Sequence, residues 1–539
     1  MAALARWCVR HRLVTVLLWL LALGGVSAAA AVAGSAYSNN YEVPGTESGR
    51  AERLLRQGFP GLGGDSDTVV WRTGPGTGTV RSAAVEQTMT RALDAIAALP
   101  GVASVVSPYE GQGAGRISGD GRTAYATVTF DDQADNLSRS EAQAVVDAAK
   151  AAETDGLQVE LGGSAIGLTE SSGGHLAEVV GVVVAAVVLF LAFGSLAASL
   201  LPIATALVGV GTAYASIVLL GHAMTVADFA PMLGMLIGLG VGIDYALFIV
   251  TRHRRGLKRG LAVAEAARNA VATTGRAVVF AGATVCIALL GMLILRLSFL
   301  NGVAIAASLT VVLTVAASVT LLPALLSFIG PRALSRRERR RLYEHGPQPE
   351  LPTGLAARWS VFVERHPKLL GAVAVVVMAL LALPTLSLHL GTSDQGNNPR
   401  SATTRQAYDL LAKGFGPGVN GPLTLVTHVG GAEDRLALDS LDGTLRATAG
   451  VASVTPAAYD TGGVTAYLTV VPDSAPQSQT TSDLVDRLRT EVLPRVEAGS
   501  GLDVRVGGVT ASYDDFAAVI VGRLPLFVGV VIGLGCVLL

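Results

Sequence analysis

Along the chain, long charge-free stretches alternate with polar stretches of domain size. Apolar runs occupy 13–34, 176–197, 199–220, 230–251, 277–295, 300–329 and 369–388, and an eighth begins near Leu524 and continues to Leu539. About 20 mainly apolar residues cross a hydrocarbon core of about 30 Å, so each of the first seven runs can span a membrane. Backbone polar groups inside lipid must be satisfied within their own segment, which makes these runs helices. Two large polar regions, 35–175 and 389–523, and a basic linker at 330–368 lie between them.

Inside the polar regions the period changes. The first reads as a strand at 68–71, a helix at 81–98 with Val85, Met89, Leu93 and Ile96 at helical spacing, strands at 102–107 and 124–130, a helix at 138–153 and a strand at 157–161. The second gives the same order: strand 423–428, helix 433–447, strands 451–455 and 465–471, helix 481–498, strand 503–507. Strand-helix-strand, twice, is the split βαβ or ferredoxin-like arrangement. The expected fold is a polytopic α-helical membrane protein with two extracytoplasmic α+β domains.

The chain also repeats itself. Ala5-Arg6-Trp7 recurs as Ala357-Arg358-Trp359, and Arg10-His11 as Arg365-His366. Leu54-Leu55 with Gly58-Phe59 recurs as Leu410-Leu411 with Gly414-Phe415, and the Gly-Val-Ala-Ser-Val at 101–105 recurs at 450–454. Tyr125 matches Tyr467, and Gly162-Gly163 matches Gly507-Gly508; all offsets lie between 342 and 356. Six matches in order at one spacing are a duplication. A second half equivalent to 1–350 would extend to about residue 700, so the reading expects a C-terminally truncated piece of a twelve-span protein. The repeat also favours retention of the first run over the alternative, a cleaved signal peptide ending in the small residues 27–30.

Composition narrows the class. Hydrophobic residues make up 51% and charged residues 15%, where a soluble domain has about a quarter charged. The net charge is -1, from 40 basic and 41 acidic residues, which lacks the basic excess of a nucleic-acid binder. Cys8, Cys286 and Cys536 all sit in or beside apolar runs, so no disulfide or cysteine metal framework is expected. Basic clusters precede the first run, follow the fourth (Arg252, Arg254, Arg255, Lys258, Arg259) and follow the sixth (six arginines within 332–341). With the N-terminus in the cytoplasm all three clusters fall on the cytoplasmic side and both polar regions outside. The arginine run reads as a lipid-headgroup-facing loop.

The residue with chemistry is Asp244, in the fourth run. A carboxylate there costs about 2.5–3.5 kcal/mol on insertion scales, so it is a functional candidate, against the plainer reading of a structural hydrogen bond. Gly234, Gly238 and Gly242 form one small-residue face; Gly240 and Asp244 lie on the opposite face, which predicts close packing on both sides. A buried carboxylate takes up and releases a proton as its surroundings change, and Tyr245 can hydrogen-bond a partner in either state. Weaker signals are the Asn136-Leu137-Ser138 sequon, which Ser138 and Glu141 recast as a capping box, and His175, Glu178 and Arg523, read as interface anchors. No phosphate-binding loop, nucleophile elbow or metal cluster is visible, so no cofactor and no enzyme activity are expected.

One span, a large outside domain, five spans, a basic linker and then the same again resembles the resistance-nodulation-division superfamily. Gly238-Leu-Gly-Val-Gly-Ile-Asp244-Tyr245-Ala-Leu-Phe-Ile-Val-Thr-Arg252-His-Arg254 is similar to the signature of its MmpL branch, found in mycobacteria and other actinobacteria. With 4 of the 40 basic residues being Lys, the chain also fits a GC-rich genome. The resemblance implies proton-driven export of lipids or other hydrophobic or amphipathic small molecules across the cell membrane. It further implies that Asp244 and Tyr245 belong to a proton relay, partnered by an equivalent pair in a tenth span. The alternatives are a non-transporting receptor or envelope scaffold of the same architecture, a protein-translocation auxiliary, or an inactive fragment with half of the relay. Membrane lipids are the expected partners; the substrate and the oligomeric state, a homo-oligomer included, stay open.

Overall fold

The computed structural model describes the chain except residues 38–44, 60–64, 111–114, 133, 171–173, 348–354, 388–392, 499 and 539; the side chains of 135, 174–178, 355–356, 386–387 and 538 are also outside it. It divides into two units, one of residues 1–41, 176–390 and 523–539 and one of residues 42–175 and 391–522.

The first unit is a helical bundle. Among the described residues seven helices are long and apolar enough to cross a membrane, with a shorter apolar helix at Val179–Phe193. Leu196–Leu220, Ala230–Lys258 and Ser298–Ile329 pack on one another at its centre, and Val263–Leu290 and Arg12–Ala33 flank them. Four threonine hydroxyls inside this core are satisfied locally: Thr205, Thr212, Thr310 and Thr314 each donate to the carbonyl four residues earlier, at 2.6–3.0 Å, whereas the buried Ser308 and Ser318 hydroxyls have no partner among the described residues. The first span is tied to the sixth by Trp19 Nε1 donating to Thr320 Oγ1 at 3.0 Å. Pro367–Ala382 buries none of its residues.

Several boundaries differ from expectation. The helix of the fourth run continues to Lys258, carrying most of its basic cluster as helix, and the last helix starts at Val509, directly after a strand, well before Leu524. The arginine run is no loop. It forms a helix, Arg336–His345, opened by a Ser335–Glu338 capping box. The duplicated Arg-His marks the same event twice: His11 separates Ala2–Arg10 from Arg12–Ala33, and His366 separates Leu355–Arg365 from Pro367–Ala382. Both histidines leave helical backbone geometry, with ψ of 44° and 48°.

The second unit holds two sheets. Strands β1 (Ser66–Thr73), β2 (Val102–Val106), β3 (Thr123–Phe130) and β4 (Leu157–Gly162) pair antiparallel in the order β2-β3-β1-β4. Strands β5 (Leu423–His428), β6 (Val451–Val454), β8 (Thr465–Pro472) and β9 (Val504–Gly508) repeat this as β6-β8-β5-β9, with the short β7 (Ala458–Tyr459) also on β8. Ala83–Ala97 and Arg139–Lys150 cover one face of the first sheet, where Val69, Trp71, Met89, Leu93 and Ile96 form the core. The Ser138–Glu141 capping box is present, with Ser138 N donating to Glu141 Oε2 at 2.8 Å. In the second lobe the helix expected at 481–498 is interrupted by a π-turn at Leu488–Val492, just before Pro494.

The opposite sheet faces are covered by exchange. Glu47–Gly58, from the first half of the chain, lies on β9, β5 and β8; Thr403–Phe415, from the second half, lies on β4, β1 and β3. The contacts match pairwise. Phe59 meets Tyr467 edge-on at 4.8 Å, and Phe415 meets Tyr125 edge-on at 5.1 Å. Val506 N donates to Glu47 Oε1 and Leu161 N to Thr403 Oγ1, both at 2.9 Å. A Cβ at Gly58 or Gly414 would lie 2.8 Å from Thr465 Cβ or Thr123 Cβ respectively. The duplicated Leu-Leu with Gly-Phe therefore marks the helices that the two halves trade.

Gly414→Val should lift its helix from the first sheet, at a cost of about 1–3 kcal/mol. Gly443, in Ala432–Arg446 with nothing within 4 Å of an added Cβ, should gain about 0.5–1 kcal/mol as Gly443→Ala. Thermal melting of the purified chain should move in opposite directions for the two variants.

Candidate functional site

The Ala230–Lys258 helix starts with proline in its first turn, where the missing N–H costs nothing. Its glycine face is closed by a column of small side chains. A Cβ at Gly234 would lie 2.9 Å from Thr310 Oγ1; at Gly238, 2.5 Å from Thr310 Cγ2 and 2.8 Å from Val210 Cγ2; at Gly242, 2.5 Å from Thr314 Cγ2 and 2.9 Å from Ala206 Cβ. Thr310 and Thr314, one turn apart on Ser298–Ile329, thus fit notches one turn apart on the facing helix. Only glycine permits this approach, and dispersion contacts at such distances are what hold helices together in lipid.

Asp244 is the central residue of this 29-residue helix, about 21 Å along the axis from either end. It is exposed on the side away from the glycine face, and among the described residues it has no hydrogen-bond or ion-pair partner. Gly240 shares that open side, with nothing within 4 Å of an added Cβ. Here the expectation of packing on both faces is corrected: within this chain Gly234, Gly238 and Gly242 pack and Gly240 does not. Helical spacing tells which residues share a face, not what stands opposite. Tyr245 turns the other way, into the bundle core, and is 8% exposed. The two side chains leave the helix on different sides.

One end of the helix is pinned. Arg254 Nη2 donates to Phe193 O at 2.6 Å and to Glu338 Oε2 at 2.7 Å, with its guanidinium 4.7 Å from the Phe193 ring centre. Lys258 Nζ approaches Glu338 Oε1 at 3.0 Å, and Ser335 N donates to Glu338 Oε2 at 2.8 Å. Nearby, Ser195 Oγ donates to Arg332 O, and Arg12 Nη1 to Ser327 O. All three basic clusters thus gather at one end of the bundle. Burial pushes the Glu338 carboxyl up, but the Ser335 amide, Lys258 and Arg254 outweigh it and hold the group at about 2.

Neither the threonine column nor Glu338 was read as part of the site. Thr310, Thr314 and Ser318 at four-residue spacing, and Ser335 three residues before Glu338, were the available signals. Of the anchors read from sequence, Arg523 donates to Leu295 O, while the His175 and Glu178 side chains lie outside the described residues. No group of three or more metal-ligating side chains occurs among the described residues.

The MMPL family profile matches residues 40–370. Membrane protein YdfJ of Bacillus subtilis is 34% identical over 99% of this chain and 72% of its own length. A Streptomyces coelicolor membrane protein, SCO6666, is 31% identical over 80% of this chain and 60% of its own. A Mycolicibacterium smegmatis protein named the mycolic acid-containing lipids exporter MmpL11 is 30% identical over 63% of this chain and 36% of its own. The chain thus spans between about a third and 72% of these relatives.

Glu338→Gln should cost about 1–3 kcal/mol at neutral pH, because two cations lose a charged acceptor. A carboxyl held below its unfolded value stabilises the fold above that value, about 4.5, and loses the contribution as pH falls towards 2. The melting-temperature gap between wild type and variant should therefore be full at pH 7 and much smaller at pH 3.

Proposed function

The chain belongs to the MMPL family, and on that premise we propose that it serves a proton-motive-force-driven exporter of lipids or other hydrophobic small molecules across the cell membrane. The observation that carries this reading is Asp244, a carboxyl at the centre of a span helix whose opposite face is locked by glycine-threonine contacts. An intramembrane acidic residue is expensive and functional by default. Protonated, Asp244 tolerates an apolar setting; ionised, it needs water or donors. Conformations that differ in this respect are biased by the proton, and about 2.3 kcal/mol per charge per 100 mV is available to drive them.

On this reading the open side bearing Gly240 and Asp244 receives a further span helix with a hydrogen-bonding pair, as the Asp-Tyr resemblance implies. Tyr245, on the core side, positions the helix. The basic end of the bundle faces the cytoplasm, and the two sheets with their helices are ferredoxin-like porter domains outside. The strand orders β2-β3-β1-β4 and β6-β8-β5-β9 support that assignment. The exporter name of the MmpL11 relative speaks for a lipid cargo over a receptor or scaffold role.

Asp244→Asn should reach the membrane at wild-type level yet lose protonophore-sensitive efflux of a fluorescent lipid from energised vesicles. Tyr245→Phe should retain most of it. Wild-type flux from Asp244→Asn would remove the proton role.

A further inference from the structure

The Arg336–His345 helix has a side that the bundle does not use. Leu334, Glu338 and Leu342 face the bundle, packing with Leu257 and Ala266 or pairing with Arg254 and Lys258. Arg336, Arg339, Arg340, Tyr343 and Glu344 share another side by helical spacing, and together they form an open, shallow surface. Arg340 pairs with Glu344 at 2.7 Å. Among the described residues Arg336 and Arg339 have no ion pair, and Arg339 Nε is shielded from solvent without an acceptor. Tyr343 is 95% exposed.

We propose that this surface binds the phosphate-bearing headgroup of an anionic phospholipid. Guanidinium forks match phosphate oxygens in planar, two-bond geometry. The membrane is the source because of where the helix is fixed. Glu338 ties it, through Arg254, to the Phe193 carbonyl at the end of an apolar helix, so it lies at the depth where the bundle leaves hydrocarbon. An exposed tyrosine beside the arginines suits that interface. The charge is local, since the whole chain carries -1, and a patch one helix side wide offers too few cations to follow a nucleic-acid backbone. Because Glu338 and the capping box set the rotation of the helix, the arginines project from one side of it. The surface is therefore a site, more specific than a general attraction of basic chain to anionic lipid.

The test places the 539-residue chain in nanodiscs of equal phosphatidylglycerol and phosphatidylcholine and counts retained lipids by native mass spectrometry. Wild type should retain phosphatidylglycerol preferentially. R336Q with R339Q should lower that preference about a hundredfold, since each removes a charge-assisted hydrogen bond to the headgroup worth about tenfold. R337Q with R341Q, on another side of the helix, should lower it far less. Equal loss from both pairs, or none from the first, overturns the site. Displacement by inorganic phosphate or by a short RNA, with phosphatidylglycerol ignored, overturns the lipid assignment. Both pairs leave Ser335 and Glu338 intact, so unchanged melting checks the fold. In wild type alone the preference should also vanish as salt is raised to about 1 M, where screening acts within about 3 Å; persistence overturns the proposal too.

Discussion

The bundle depends on the contact between glycines of Ala230–Lys258 and threonines of Ser298–Ile329. In lipid an apolar side chain gains nothing by leaving its apolar solvent, so helices associate through close packing and hydrogen bonds. Gly234 lets the Thr310 hydroxyl, and Gly238 and Gly242 let the Thr310 and Thr314 methyls, come to distances that a Cβ would forbid. The threonine hydroxyls bond back to Ala306 O and Thr310 O, so these two hydroxyls are not stranded where the helices meet. Leu196–Leu220 joins by the same means, a Cβ at Gly209 falling 3.1 Å from Thr314 Cα. Three helices are thereby fixed in depth and rotation, and the direction of Asp244 follows from theirs.

The same device recurs in the second unit. Gly58 and Gly414 admit a threonine of the opposite half's sheet, and each is followed by a phenylalanine that meets a tyrosine edge-on. Carboxylates complete the exchange: Arg489 holds Asp515 at 2.8 Å and Glu47 at 3.5 Å, while Glu170 accepts from Thr404 N and Oγ1. Each sheet is closed on one face by its own helices and on the other by a helix from the other half. Neither half buries both sheet faces by itself, so the duplicated halves stabilise each other as a pair.

Much of this was legible. Val85, Met89, Leu93 and Ile96 mark a core-facing helix, and the alternation in β3 and β8 sets their edges to within two residues. The exchange was not, because Leu54-Leu55 and Leu410-Leu411 announce a helix face without naming the sheet it covers. Val69-Val70-Trp71 was the overlooked hint, since three consecutive buried apolar residues in a strand require cover on both faces. The helix at Arg336–His345 was hidden by its own charge, although its cap has the same form as the one read correctly at Ser138. For the candidate site, spacing gave the glycine face, while the depth of Asp244 depended on the helix running on to Lys258. Spacing could not give the openness of the other face, which depends on what stands across from it.

The zipper also limits how a proton on Asp244 could act under the proposed function. Threonines four residues apart sit in glycine notches four residues apart, so a slide of less than one notch spacing, about 6 Å, drives methyl groups against backbone. The helix is held a second time at its basic end, where Arg254 and Lys258 share Glu338. Sliding along the glycine face is therefore the stiff direction, and Leu196–Leu220, Ala230–Lys258 and Ser298–Ile329 move as one body. The soft direction is the open side, where Gly240 meets nothing and Asp244 has no partner among the described residues. A change of protonation there alters what that side can pack against while leaving the zipper intact. Coupling then takes the form of a rigid three-helix body shifting against its neighbour across the Asp244 face, with the packed glycines transmitting the shift without absorbing it.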